Sequence, residues 1–162
     1  MQWHRHGSLV VLCCLVASTV TAVASGEPSV TKQRIAIEGT FNTHTGRSAW
    51  TLVPLSKGQL TRDVGTGTGT GDVKPAVVRK NGQSIVPIVG GDSLTGKRGS
   101  IELSETVESH RAGHLYSADT GTWSFDGVTG AYAGYAGGGG FAAVGTPKGM
   151  VLFRMEGYVS KQ

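Results

Sequence analysis

Glu105 lies in Ile101-Glu-Leu-Ser-Glu-Thr-Val107, on the same side of an alternating run as Ile101, Leu103 and Val107, while Glu102, Ser104, Thr106 and Glu108 take the other side. Side chains alternate along an extended strand, so this spacing aims one carboxylate at an apolar interior. A carboxyl group held there takes a raised pKa or finds a cation. A poised acid in a dry pocket can do general acid–base work. The competing readings are a bulge that turns Glu105 outward, or a structural pair with an arginine. Arg154 is the second candidate. It shares one face of the segment 150–159 with Leu152, Glu156 and Tyr158, opposite Val151, Phe153, Met155 and Val159. Arg154 lines an interior only if the second face packs outward; otherwise it forms a solvent-facing pair with Glu156.

Other constellations are weaker. His110 and His114 bracket a proposed hairpin loop, but a hydrolytic zinc site wants a third protein ligand, and neither Glu108 nor Asp119 has diagnostic spacing. They read as exposed loop histidines, with His44 alone in the turn Asn42-Thr-His-Thr-Gly46, and no metal is expected. No serine sits in G-x-S-x-G. Gly137, Gly139 and Ala142 match G-x-G-x-x-A, yet that fingerprint needs a strand-to-helix transition, which such dense glycine prohibits. The aromatics Trp50, Trp123, Phe125, Tyr132, Tyr135 and Phe141 belong together: in a small barrel they either fill the interior or line an apolar ligand cavity.

Positioning such residues requires strands, and the sequence supplies them. Residues 34–41 alternate, with Ile35, Ile37 and Phe41 on one side. Segments 48–53, 76–80, 83–89, 100–109, 115–125 and 150–159 read as further strands, and another begins at Phe141. Asn81-Gly82 between apolar runs favours a type I′ turn, and Pro87 places its strand at an edge or a bulge. His110-Arg-Ala-Gly-His114 fits a three-residue hairpin loop with Gly113 in the left-handed region. Gly65-Thr-Gly-Thr-Gly-Thr-Gly71 reads as a flexible low-complexity loop; it lacks the lysine and following helix of a phosphate-binding loop. About eight strands at short spacing, with no amphipathic helix, predict an all-β fold: a single antiparallel β-barrel, with a β-sandwich as the alternative.

The N-terminus reads as an export signal spanning residues 1–24. A polar start at His4-Arg-His6 precedes the apolar run Leu9–Val16 and the cleavage site Ala22-Val-Ala24. The apolar run is too short to span a bilayer. Cys13 and Cys14 lack the small preceding residue of a lipoprotein site and leave with the signal, so the exported chain carries no disulfide or cysteine nucleophile. A lead-in follows at 25–33, then one domain at 34–162. The expected location is extracellular. The formal charge of +4 is carried by scattered Lys and Arg, which argues for solubility rather than a nucleic-acid groove.

Three stretches carry a family likeness: Trp50-Thr-Leu-Val-Pro-Leu-Ser-Lys-Gly-Gln-Leu-Thr-Arg-Asp63, Leu94-Thr-Gly-Lys-Arg-Gly-Ser-Ile101, and Thr122-Trp123 with Gly127-Val-Thr-Gly-Ala-Tyr-Ala-Gly-Tyr-Ala-Gly-Gly-Gly-Gly140. In these the chain resembles the allene oxide cyclase-like barrels, in particular secreted bacterial members, and more loosely the dirigent-type barrels. The resemblance implies an eight-stranded calycin-like barrel with a mostly apolar lumen, used by relatives to steer cyclisations or couplings of small molecules. Catalytic positions do not carry over, because the plant cyclase pattern does not align here. The reading that follows is a secreted barrel that binds a small hydrophobic molecule through Trp50, Glu105, Trp123, Phe125, Tyr132, Tyr135 and Arg154. The alternatives are a cofactor-free isomerase or cyclase with Glu105 as catalytic acid or base, and a filled barrel with no ligand. No cofactor, nucleic acid or membrane span is expected, and association of copies through the outer faces is open.

Overall fold

A computed structural model describes residues 31–112 and 116–162. The expected export signal, most of the lead-in, and Gly113 and His114 lie outside those residues. The strands are β1 (Gln33–Asn42), β2 (Arg47–Pro54), β3 (Asp63–Val73), β4 (Val77–Val78), β5 (Ser84–Gly96), β6 (Ser100–Ala112), β7 (Tyr116–Val128), β8 (Tyr135–Gly145) and β9 (Met150–Lys161). They pair in the order β3-β2-β1-β9-β8-β7-β6-β5, and β3 pairs back onto β5. Every pairing is antiparallel. The sheet therefore closes on itself as an eight-stranded barrel, which leaves no free edge around the ring. The two-residue β4 lies outside it, paired to the start of β5.

Closure depends on β3, the segment expected to be a flexible loop. Its Gly-Thr repeat is a strand, registered against β2 from Leu52↔Asp63 to Arg47↔Thr68 and against β5 from Gly65↔Gly96 to Val73↔Ile88. Thr66, Thr68 and Thr70 are exposed, while Gly65, Gly67 and Gly69 take the inward half of the alternation and are half-buried. The glycines let two neighbouring strands come close: a Cβ on Gly65 would fall 2.0 Å from the Thr95 carbonyl oxygen. Threonine, a good strand former, supplies the propensity that glycine lacks.

Two turns depart from expectation. Gly82 has a positive φ of 81° and Asn81, like every other non-glycine residue among those described, does not, so Asn81-Gly82 is not a type I′ turn. The Gly82 amide donates to the Arg79 carbonyl (2.9 Å) and the Arg79 amide to the Gln83 carbonyl (2.8 Å), a type I turn followed by a glycine bulge. The Asn81 side chain caps it by accepting from the Gln83 amide at 3.0 Å. His110 is not a loop residue: it lies in β6, opposite Ile85 and Ala118. Pro87 occupies the step where β5 leaves β4 and before β3 begins to pair with it, a position that needs no donor on that side.

The interior is filled at one end. Ile35, Ile37, Leu52, Leu94, Ile101 and Met155 are wholly buried there, with Trp50, Leu103, Trp123 and Tyr132 packed among them. The crossing from β2 to β3 plugs this end through Leu60, held by a two-way bond: Gln33 Nε2 donates to the Leu60 carbonyl (2.8 Å) and the Leu60 amide to Gln33 Oε1 (2.9 Å). Gln33 is thus part of the barrel and not of a lead-in. A single 3-10 turn, Gly130–Tyr132, brings Tyr132 over the same end.

Candidate functional site

Beyond the filled half, the inward positions change character. On β6, Leu103 gives way to Glu105, Val107 and Ser109; on β7, Trp123 gives way to Asp119 and Ser117; on β3 the wall is glycine. The result is a half-open cavity of about 270 Å³ at the end of the barrel where β1 finishes and β7 begins. Phe41, Ile88, Val107, Phe141, Val151 and Phe153 make its apolar walls. Asp92, Glu105 and Asp119 supply carboxylates from three successive strands, β5, β6 and β7.

Glu105 faces inward between Gly90 and Trp123. The bulge in this ladder occurs elsewhere: Glu102 pairs with Gly127 and Leu103 with Phe125, which leaves Asp126 as the extra residue and keeps Glu105 in register. Burial, with the neighbouring charge of Asp92 as a second cause, pushes its pKa up to about 8. Burial alone pushes Asp92 up to about 6. Glu105 Oε1 is buried with no hydrogen-bond partner among the described residues. Asp119 is 9 % exposed; its Oδ2 accepts from Ser117 Oγ at 3.2 Å, and its Oδ1 has no partner among the described residues. Gly69 sets the space beside Asp92, since a Cβ there would fall 2.1 Å from Asp92 Oδ1 and 3.0 Å from the Phe41 ring. Among the described residues, no group of three or more His, Cys, Asp and Glu is placed to hold a metal ion. Asp92 is near enough for its charge to act on Glu105.

No family model, curated protein or solved structure matches the chain. The site must be read from its own geometry.

Of the residues singled out from sequence, Glu105, Phe141 and Asp119 line this cavity, and of those expected to bind a ligand only Glu105 does. Trp50, Trp123, Tyr132 and Tyr135 are core residues of the filled half, and Phe125 packs against them. Each polar tip there is engaged: Trp50 Nε1 donates to the Thr66 carbonyl (3.1 Å), Trp123 Nε1 to the Gly140 carbonyl (3.0 Å), and the Tyr135 hydroxyl to Gln59 Oε1 (3.1 Å). The Tyr132 hydroxyl donates to Asp63 Oδ2 at 2.7 Å. Burial raises the Asp63 carboxyl, but hydrogen bonds from Tyr132 and the amides of Val64, Arg98 and Lys97 outweigh it and hold the pKa below the usual carboxylate range. Burial and this bond also push the Tyr132 phenol well up. Arg154 does not line the lumen. It stands on the outer face of β9, 47 % exposed, paired with Glu38 of β1 and with Glu156, because Phe153 and Met155 take the inward half of the alternation. Sequence reasoning did not name Asp92 as a site residue and considered Asp119 only as a metal ligand. Parity was the signal: Asp92 lies two residues before Leu94, and Asp119 four before Trp123, each on the inward side.

Proposed function

We propose that the protein binds a small, mainly apolar molecule in the open half of its barrel. One observation carries this reading: a lumen packed solid at one end holds at the other a cavity of about 270 Å³ walled by phenylalanine, valine and isoleucine. Ligand sites are concave, mostly apolar and oriented by a few polar groups, and this cavity sits at a barrel mouth, where such sites occur. The resemblance to allene oxide cyclase-like barrels supports the same reading, and the export signal expected from the sequence would let the protein meet its ligand outside the cell. Native mass spectrometry of the purified protein, with solvent extraction, is the test. A reproducible bound small molecule, lost in Val107→Phe, is the expected result. An empty protein whose melting temperature no apolar compound shifts would sink the reading.

A catalytic reading has one specific observation in its favour. Glu105 and Asp92 share the cavity with pKa values pushed to about 8 and about 6, so at pH 7 one is mainly protonated and the other mainly ionised. Such a pair can give a proton to one atom of a bound molecule and accept one from another, which is the chemistry of a cofactor-free isomerase. Tyr132 and Tyr135 take no part in this version, being committed to Asp63 and Gln59. Glu105→Gln should then abolish turnover of a substrate that still binds.

A further inference from the structure

We infer that the molecule held in this lumen carries a basic nitrogen, so that an apolar body fills the Phe/Val/Ile wall while an ammonium group sits among Asp92, Glu105 and Asp119. The inference rests on the lumen-binding reading and sharpens it to a ligand class. Three observations lead to it. The cavity's polar equipment is one-sided: among the described residues it is lined by carboxylates and hydroxyls and by no Lys, Arg or His. Two carboxylate oxygens, Glu105 Oε1 and Asp119 Oδ1, are buried and unpartnered among those residues. A carboxylate taken out of water without a donor is costly, and it is best relieved by a cation that also donates hydrogen bonds.

The neighbouring charges sharpen the point. Strand β5 contributes Asp92, β6 contributes Glu105 and β7 contributes Asp119, whereas β1, β8 and β9 contribute Phe41, Phe141, Val151 and Phe153. Arg111, exposed on β6, lines the groove beyond the cavity mouth, where Ser109, Ser117 and Val151 also lie. Lys74, past the end of β3, is committed to Asp72. Among the described residues, a fixed internal cation, the usual answer to a buried carboxylate, is thus missing from the cavity wall. An ammonium group donates up to three hydrogen bonds and suits carboxylates arranged around a wall better than a point-coordinated metal does.

The test compares three probes of one shape by calorimetry on the purified full-length protein at pH 8: 2-phenylethylamine, 2-phenylethanol and phenylacetate. The amine is expected to bind at least tenfold tighter than the alcohol and the acid most weakly. The amine's advantage should shrink severalfold in Glu105→Gln and in Asp92→Asn, and persist in Glu102→Gln, whose carboxylate bonds Ser93 Oγ on the exposed surface. Amine affinity should also rise from pH 6 to pH 8 with release of protons, because binding draws Glu105 and Asp92 into their ionised forms. Equal binding of amine and alcohol, both lost in Val107→Phe, would overturn this inference and leave lumen binding standing. An amine preference unchanged in both Glu105→Gln and Asp92→Asn would overturn it too, since the amine would then sit elsewhere. Failure of all three probes, together with no bound molecule in the native protein, would sink lumen binding and the inference with it.

Discussion

Glu105 is a carboxyl group that the fold keeps protonated, and that has a sign. Its pKa is about 8 in the folded chain against an ordinary 4.5. Between those values the folded protein holds a proton that the unfolded chain has released, so this residue's contribution makes stability fall as pH rises from about 4.5 to 8, and level off above. Glutamine keeps the shape and does not titrate. Glu105→Gln should therefore melt higher than the natural protein at pH 8, by roughly several degrees, with a much smaller difference at pH 5. Melting curves at the two pH values check this, and an equal difference at both would mean that the side chain is solvated. Asp63 is the opposite kind of buried carboxylate, ionised and saturated with donors. Tyr132→Phe removes one of those donors and should cost about 1–2 kcal/mol in denaturant unfolding. Asp63→Ala should cost more, because it leaves the Tyr132 hydroxyl and the Val64 and Arg98 amides without their acceptor.

The strand β3 shows how one element sets both closure and cavity. Its glycines differ in what stands opposite them. A Cβ on Gly65 meets the backbone of Thr95, which cannot yield without breaking the β3–β5 ladder. A Cβ on Gly69 meets only side chains: the Asp92 carboxyl, which can turn aside, and the Phe41 ring, which must give by a few tenths of an ångström into the cavity. Gly65→Ala should therefore lower the melting temperature markedly. Gly69→Ala should leave it nearly unchanged and instead alter binding of the amine probe, because it moves Asp92; a large loss of stability in Gly69→Ala alone would reverse this assignment. The same strand explains where the sequence could be read and where it could not. Alternation of large apolar residues made β1, β2, β6 and β9 legible, and Glu105 with them. In β3 the alternation is Gly against Thr, a period-two pattern with no apolar member, so it resembles a linker. Asp92 follows Gly90-Gly91 and looks like a turn residue for the same reason. Which carboxylates meet is decided by register across three strands, and no local pattern carries that.

At the scale of the whole molecule, the barrel is divided along its axis: one half is packed like any protein core, and the other keeps open space. These halves should answer differently to the same substitution. Leu103 and Val107 lie four residues apart on β6, both facing inward, one in the core and one on the cavity wall. Phenylalanine at 103 would enter a filled layer beside Ile101, Trp123 and Phe125, and overpacking of that kind costs about 1–3 kcal/mol. Phenylalanine at 107 would extend into a cavity of about 270 Å³ and bury apolar surface as it does so. Leu103→Phe should thus lower stability and leave probe affinity little changed, while Val107→Phe should hold or raise stability and abolish binding. Denaturant unfolding and probe titration on the two variants separate the possibilities. Two variants that lose stability alike would mean that the lumen is filled along its whole length, and a filled lumen has no room for a ligand of any charge.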